Sequence, residues 1–297
     1  MRFIGLLFLL FTGLSQVLPA QAPAATDTSW RVKLATGLNF NQASFSGNWR
    51  AGGVNSVALG SLLNLKASYA KGRLDWVNEL DLLYGLLNNR GQGFRKTTDR
   101  ILLDTKAGYK LSGKWNMFVS ANFLSQFAPG FQYEKDSLDR EQARLISKFM
   151  SPGFLTFAYG FEYKPVDYFY LRLSPFSPRF TFVTDRNLYL TVPDNYGVPL
   201  GKTVRQEWLA TQVLADFNRN VTKTLSLKAR YQLFANLQTL AFNTLDHRLD
   251  VSFTSKVTDY INVNLTGILL YDRDQDADVQ LSQSLAVGLA YTLNRYR

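Results

Sequence analysis

The sequence predicts an all-β protein, a transmembrane antiparallel up-and-down β-barrel of about twelve strands with both chain termini in the periplasm. Many segments of roughly ten residues alternate between apolar and polar side chains, the two-residue period of a strand with one apolar face. Aromatic residues make up 14% of the chain, which is typical of aromatic girdles at the two membrane surfaces. Outside the N-terminus, no apolar run reaches the ~20 residues that a membrane helix needs.

The chain begins with a predicted export signal. Residues 1–22 combine a charge at Arg2, an apolar stretch over residues 3–11 and the cleavage motif Ala20-Gln21-Ala22, which together predict a secretory signal peptide. We expect cleavage after Ala22, then a short periplasmic leader over residues 23–29 and an outer-membrane β-barrel over residues 30–297. An exported chain of alternating segments without helical spans indicates the outer membrane of a Gram-negative cell.

The clearest strand pair is the hairpin over residues 57–86. In its first arm Leu63 and Leu65 share one face, while Asn64 points to the other. The second arm repeats this alternation after the turn Ala70-Lys71-Gly72-Arg73. Each arm is long enough to cross a bilayer at a tilt, which takes roughly ten residues.

The same alternation extends along the chain, with strand ends at clusters of Gly, Pro, Asn and Asp. The predicted strands cover residues 30–40, 57–69, 74–86, 100–111, 115–127, 154–163, 168–174 with an extension over 180–183, 208–217, 225–237, 247–257, 261–271 and 279–293. Short turns follow every second strand, and longer polar segments, such as 88–97, follow the others. Bacterial barrels alternate periplasmic turns and extracellular loops in this way, so we expect both termini in the periplasm.

Short motifs are spread along most of the chain in a fixed order: Asn41-Gln42-Ala43-Ser44-Phe45, Asn48-Trp49-Arg50-Ala51-Gly52-Gly53-Val54-Asn55, Trp76-Val77-Asn78, Tyr84-Gly85-Leu86, Lys96-Thr97-Thr98-Asp99-Arg100, Gln126-Phe127, Ser151-Pro152-Gly153-Phe154, Leu173-Ser174-Pro175, Thr181-Phe182-Val183 and Tyr271-Asp272. Together these motifs resemble the domain-of-unknown-function family 3078, predicted outer-membrane β-barrel proteins of the Bacteroidota. The resemblance implies location and fold, and it implies no activity and no binding residues.

Charged residues recur on the face of the strands opposite to the apolar one. If the apolar face contacts lipid, residues of both signs point into the lumen: Lys66, Asp75, Glu79, Asp81, Lys106, Lys228, Arg230 and Asp250. Charges in a low-dielectric interior are stable only when paired, so we expect a lumen braced by ion pairs or plugged by a loop. In the braced lumen, Lys66 and Lys106 on the flanking strands should hold Asp75, Glu79 and Asp81 of the third strand. The alternative is an open, hydrated pore that prefers anions, because the whole inward face carries ten basic residues against seven acidic ones. Its further members are Arg100, Lys110, Lys164, Arg172, Arg248 and Lys256, and Asp104, Glu162 and Asp216.

The predicted function is that of a non-enzymatic outer-membrane protein, either a structural or assembly partner or a narrow transporter. An anion-preferring porin for small solutes is one alternative, and an outer-membrane lipid or peptide hydrolase is a weaker one. The single histidine, His247, shares parity with Leu249 and Val251 and should point toward lipid near the rim. Since its neighbours on that face cannot form a nucleophile and base pair, we predict no catalytic residue.

An acidic segment could suggest a metal site. Asp272, Asp274, Asp276 and Asp278 have the spacing that begins a calcium-binding EF-hand loop. However, Ala277 stands where that loop needs Gly, and Gln283 where it needs a bidentate Glu. We therefore expect a solvated acidic hairpin and no metal or other cofactor, with Ca²⁺ binding as the alternative.

The segment after the first predicted strand is rich in amides, glycine and aromatic residues. Its notable members are Asn41, Gln42, Phe45, Asn48, Trp49, Gly52, Gly53 and Asn55. We expect a structural loop whose amides satisfy its own backbone. The alternatives are that it plugs the barrel mouth, or that it binds a glycan or a partner.

The formal net charge of +10 suits a surface beside anionic lipid headgroups and does not indicate nucleic acid. The expected partners are outer-membrane lipid and, during insertion, the barrel assembly machinery, with any envelope protein partner unidentified. The absence of cysteine excludes disulfides, thiolate metal sites and a lipoprotein anchor.

Overall fold

The computed structural model describes residues 30–44, 46, 54–239, 241, 244–258 and 261–296, with only the backbone of residues 290–292 and 294–296. The predicted signal peptide and leader lie outside the described residues, as do Phe45, Asn48, Trp49, Gly52 and Gly53. The strands are β1 (Trp30–Ala43), β2 (Ser56–Lys71), β3 (Leu74–Asn89), β4 (Gly93–Lys110), β5 (Trp115–Ser125), β6 (Gly130–Lys135), β7 (Glu141–Ser147), β8 (Gly153–Val166), β9 (Phe169–Phe176), β10 (Arg179–Phe182), β11 (Val204–Glu207), β12 (Ala210–Asn220), β13 (Leu225–Asn236), β14 (Leu245–Lys256), β15 (Ile261–Tyr271) and β16 (Gln280–Tyr296).

Twelve strands form a closed antiparallel barrel in the order β1-β2-β3-β4-β5-β8-β9-β12-β13-β14-β15-β16, and β16 returns to pair with β1. This architecture confirms the predicted fold and strand number. β10 and β11 continue β9 and β12 beyond short breaks, and β10 pairs with both β8 and β11. β6 and β7 form a separate hairpin within a connection.

The connections place the longer loops at one end of the barrel. Residues 72–73, 111–114, 167–168 and 221–224 form turns at one end, where β14 is also followed by β15, and we call this the short-turn end. Residues 44–55, 90–92, 126–152, 183–203, 237–244 and 272–279 connect strands at the other end, the loop end. Both described termini lie at the short-turn end.

One predicted loop is mostly strand. The segment 88–97 was expected to be a long loop because it is polar and contains two glycines, but β3 and β4 continue into it. Their pairing extends to Asn89↔Gly93, with a bulge between Gly85 and Leu86. Gly91 and Gly93 have φ angles of 84° and 70°, so they allow the tight three-residue connection that keeps the two strands paired.

The outer face of the barrel carries aromatic residues at both ends. At the short-turn end, the Trp30 ring centroid lies 5.2 Å from that of Tyr69 and 5.9 Å from that of Trp76. At the loop end, the Trp208 and Phe180 centroids lie 5.2 Å apart. Exposed Leu, Val and Phe side chains occupy the face between them. This surface is that of a membrane-spanning barrel.

The described residues include two short helical segments. Leu188–Leu190 and Asn195–Gly197 are single 3₁₀ turns in the loop between β10 and β11. None of the helices in the described ranges is both long and apolar enough to cross a membrane.

Candidate functional site in the barrel lumen

The lumen contains a charged cavity of about 560 Å³ toward the short-turn end. We call this cavity the vestibule. Eight basic and six acidic side chains line it: Lys33, Lys66, Lys106, Lys110, Lys164, Arg172, Lys228 and Arg230 against Asp75, Glu79, Asp104, Glu162, Asp167 and Asp216. Six of the eight lumen charges predicted from the sequence therefore line the vestibule, and Asp81 and Asp250 lie outside it.

The most buried acid of the vestibule is Glu162 on β8, which is 3% exposed. Its carboxylate accepts hydrogen bonds from Lys106 Nζ at 3.0 Å, from Arg172 Nε at 2.8 Å and from Asn116 Nδ2 at 3.1 Å. Lys106 Nζ also lies 3.2 Å from Asp75 Oδ2. Four charged groups from four strands thus compensate one another where their side chains are mostly shielded from solvent.

Glu79 on β3 connects opposite walls of the barrel. Its carboxylate accepts a hydrogen bond from Asn64 Nδ2 at 3.1 Å and lies 3.9 Å from Lys66 Nζ, both on neighbouring β2. Its other close cation is Lys228 on β13, with Nζ 4.0 Å from Glu79 Oε1. β3 and β13 are six places apart in either direction around the twelve strands. The ion pair therefore crosses the lumen.

Two predicted lumen acids have partners that the sequence did not indicate. Asp81 was expected to be held by a flanking lysine, but its Oδ2 lies 3.0 Å from Arg100 Nη2 on β4. Asp250 lies opposite Arg230 in the register, yet its ion pair is with Arg248 on the same strand, at 2.7 Å. Arg230 instead donates to Asp216 at 2.8 Å. Periodicity predicts which face a charge occupies, and packing selects its partner.

Apolar side chains fill one side of the lumen beyond the vestibule. Phe118, Leu214 and Phe234 lie on the inward faces of β5, β12 and β13, and each is at most 9% exposed. The guanidinium carbon of Arg179 lies 3.3 Å from the Phe234 ring centroid, and that of Arg172 lies 5.2 Å from the Phe118 centroid. We call these residues the mid-lumen belt. The sequence could have indicated this belt, because Phe118 is an aromatic residue on the otherwise polar face of β5, between Asn116 and Ser120.

At the loop end, the two longest connections pack together into a cap. Val183, Leu188 and Val198 are buried, and Leu145, Val192 and Tyr196 pack against them. The Tyr196 hydroxyl donates to the Ile146 carbonyl oxygen at 2.7 Å, and burial raises the pKa of Tyr196 to about 12. Lys148 Nζ lies 2.8 Å from Asp185 Oδ2, and this hydrogen bond lowers the pKa of the Asp185 carboxyl.

The acidic segment between β15 and β16 is only partly solvated, since Asp276 and Asp278 are exposed while Asp272 and Asp274 contact protein groups. Asp272 is buried and accepts hydrogen bonds from the Asp274 backbone N–H at 3.0 Å and from Gln275 Nε2 at 2.6 Å. Asp274 forms an ion pair with Arg205 on β11. Asp276 accepts from the Asp278 backbone N–H at 2.9 Å. Among the described residues, no group of three or more His, Cys, Asp or Glu side chains could hold a metal ion.

The remaining sequence candidates lie away from the vestibule. His247 Nδ1 is 2.8 Å from the Tyr231 hydroxyl, and its ring centroid is 6.4 Å from that of Tyr271, in an aromatic group on the outer face. Asn41 and Gln42 were expected in a loop but belong to β1, where they pair with Ala58 and Val57. Asn55 accepts a backbone hydrogen bond from Arg90 at 2.8 Å, which anchors the end of the first loop.

These features define a membrane-spanning β-barrel whose lumen is charged and braced by ion pairs, and whose two longest loops pack on each other at the loop end. Residues 40–131 match the model of the family described as "Protein of unknown function (DUF3078)", which confirms the family resemblance over that range. No curated protein matches the sequence.

Several solved outer-membrane barrels are similar in structure. The COG4313 outer membrane channel from Pseudomonas putida F1 is 10% identical, with a TM-score of 0.41 and coverage of 94% of this chain and 100% of that chain. The translocator domain of autotransporter NalP from Neisseria meningitidis is 11% identical, with a TM-score of 0.39 and coverage of 90% and 89%. The NanC porin is 8% identical, with a TM-score of 0.39 and coverage of 89% and 99%.

Proposed function

We propose that this protein is a non-enzymatic outer-membrane barrel that forms a narrow conduit for small solutes, closed at rest by ion pairs across its lumen. The observation that carries this proposal is the contact between Glu79 and Lys228 on opposite walls. A wide water-filled pore would keep such side chains apart, because solvent would screen them and their rotamer freedom would favour separation. The mid-lumen belt narrows the same passage further along the axis.

The composition of the vestibule favours anions. Basic side chains outnumber acidic ones by eight to six around the cavity. Within the described part of the chain, Lys33 and Lys110 have no acidic partner within 4.0 Å, whereas Lys106 and Arg172 share Glu162. Unpaired cations lining a confined, low-dielectric passage raise the local concentration of small anions. We therefore propose an anion preference for the conduit.

The export signal and the outer face support an outer-membrane location. We infer that residues 1–22 direct export and are removed, and that both termini lie in the periplasm, so that the vestibule opens on the periplasmic side. The contacts of His247 on the outer face, with Tyr231 and Tyr271, support a role in the aromatic girdle and not in hydrolysis.

The test is single-channel recording from purified protein in planar bilayers. We expect a small wild-type conductance, which Glu79→Gln increases by about twofold or more because it removes the contact across the lumen. Asp81→Asn is the matched control, since it removes one negative charge from the same face of β3 while the partner, Arg100, lies on the adjacent strand. The reversal potential in a salt gradient should indicate anions.

Two outcomes would contradict the proposal. A large wild-type conductance that Glu79→Gln leaves unchanged would indicate an open porin. No conductance in the wild type, in Glu79→Gln or in Lys228→Gln would favour a structural or assembly role.

A further inference from the structure

The strands that close the barrel are paired over only part of their length. Pairing between β1 and β16 runs from Arg31↔Tyr296 to Asn39↔Gly288 and stops there. Both strands continue toward the loop end, where, within the described ranges, β1 pairs only with β2 and β16 only with β15. Among the described residues, no pair joins residues 40–43 of β1 to residues 284–287 of β16. We call these two unpaired edges, 40–43 and 280–287, the seam.

The exposure of side chains beside the seam is an independent observation. Leu281 and Leu285 on β16 are 75% and 66% exposed. Their register partners on β15, Leu269 and Leu265, point outward at the same level, but they are only 40% and 37% exposed. β15 has a paired strand on both sides, so the difference reflects the missing neighbour on the β1 side.

The side chains on the lumen face of the seam are uncharged, and those at its centre are small. Ser282 and Ser284 point inward and are exposed. At the last paired position, the Asn39 side chain occupies the space that a Cβ at residue 288 would need, so Gly288 permits this contact. Residues 34–49 and 279–294 contain no Asp, Glu, Lys or Arg, in contrast to the charged walls of the vestibule.

An unpaired strand edge in the apolar layer needs hydrogen-bond partners, because the hydrocarbon offers an unsatisfied backbone group neither donor nor acceptor. One inserted strand would meet this need poorly. β1 and β16 are antiparallel, so a single strand between them would be parallel to one of them, unlike every other pair in the barrel. Lumen water and the polar group of a small molecule can satisfy both edges without that constraint.

We propose that the seam is a lateral port through which an uncharged amphipathic small molecule passes between the lumen and the apolar layer of the membrane. Its apolar part contacts Leu281, Leu285 and Phe40 on the outside. Its hydroxyl or amide group contacts the backbone edges and the two inward serines, Ser282 and Ser284. A charged molecule is excluded because the seam offers it no counter-charge.

The test uses an apolar aryl diazirine dissolved in phosphatidylcholine vesicles that contain the protein. Light converts this probe into a carbene that inserts into nearby bonds, and mass spectrometry maps the modified residues. We expect modification of inward Ser282 and Ser284 to be comparable with that of outward Leu281. Inward Ser120, on the fully paired β5, should be modified about tenfold less, because the apolar probe stays in the bilayer.

Disulfide locking tests whether the probe enters through the seam. The chain has no cysteine, so the double variant Phe40→Cys with Val287→Cys can form a single disulfide bond. This bond lies one position beyond Asn39↔Gly288, the last backbone pair of β1 with β16. The control lock, Leu34→Cys with Leu293→Cys, lies at a position that is already paired. Oxidation of the seam lock should reduce modification of Ser282 and Ser284 about tenfold, reduction should restore it, and the control lock should have no effect.

Three results would overturn the proposal. The first is unmodified Ser282 and Ser284 in the wild type while Leu281 is modified, which would mean a closed seam. The second is modification that persists in the oxidised seam lock, which would mean entry through the barrel mouth. The third is protection of Leu281 and Ser284 alike, which would mean that a protein segment covers the seam. Ion conductance should be unchanged by the lock, so the port and the proposed conduit can fail separately.

Discussion

Glu79 Oε1 lies 4.0 Å from Lys228 Nζ although the two residues occupy opposite walls of the barrel. The barrel cross-section at this level is therefore spanned by two side chains. This contact can form only after the sheet has closed into a barrel, because the two residues are far apart in the sequence and lie on strands that are not neighbours.

A double-mutant cycle should measure this contact. Glu79→Gln and Lys228→Met should each lower the free energy of unfolding in lipid vesicles, and their coupling energy should be about 0.5–1 kcal/mol because both side chains are partly exposed. The same cycle between Glu79 and Arg248, which is paired with Asp250, is the control and should give no coupling. Strict additivity of the first pair would show that the two walls do not interact in the membrane.

Glu162 should be the most sensitive charged position in the lumen. Glu162→Gln leaves Lys106 and Arg172 without their shared buried carboxylate, so we expect a loss of about 3–5 kcal/mol in urea unfolding. Asp250→Asn is the control, because its partner Arg248 is more exposed, and it should cost less than about 1 kcal/mol. Similar losses for the two variants would argue against a dry Glu162 cluster.

Arginine substitutions on the outward and inward faces of β2 and β3 should differ in their effect on stability. Leu82 shares its face with the exposed residues Leu74 and Trp76, whereas Asn64 lines the vestibule. Leu82→Arg should therefore cost about 2–4 kcal/mol more than Asn64→Arg when both variants are unfolded in lipid. Equal stabilities would mean that the apolar face does not contact the bilayer.

The cap should loosen in alkaline solution. Burial raises the pKa of Tyr196 from 10.0 to about 12, so the folded cap holds the phenol proton more tightly than the unfolded loop does. The resulting stability is complete below pH 10.0 and is lost as the pH rises toward about 12. Proteolysis of residues 183–203 should accelerate over this window.

Tyr196→Phe provides the control for this measurement. The variant keeps the buried ring but loses the titrating hydroxyl and its hydrogen bond to Ile146. Its cap should be weaker at neutral pH, and its proteolysis should not show the transition attributed to Tyr196. An unchanged transition in the variant would assign the effect to another group.

The two-residue period was sufficient to predict the barrel, the strand number and the face of most lumen charges. It placed Lys66 and Glu79 on one inward face because alternation depends only on the pleat of the strand. It could not pair Glu79 with Lys228, since that contact depends on how the sheet closes. It also missed the partner of Asp81, because side-chain packing selects Arg100 among the cations of the adjacent strands. The contact of Asp274 with Arg205 was missed because these residues lie in distant segments.

Composition misled where backbone geometry decided the outcome. Residues 88–97 have the polarity of a loop, but backbone pairing continues into them on both sides of the turn at residues 90–92 and needs no apolar face. The cap was missed for the opposite reason. Its small core brings together Leu145, Leu188 and Val198 from two connections, and no local period marks residues that meet only after the barrel has formed.

The partial pairing of β1 with β16 also has a consequence for how the barrel assembles. All other barrel pairs join strands that are consecutive around a turn or loop, so the sheet can grow as a row of hairpins with modest loop-closure entropy. Among the described residues, the nine pairs from Arg31↔Tyr296 to Asn39↔Gly288 connect the two ends of the chain. Because this contact has by far the largest sequence separation, we expect its formation to be the slow, final step of folding. Few residue pairs stabilise it relative to the length of chain that it closes, and this ratio should set the kinetic barrier.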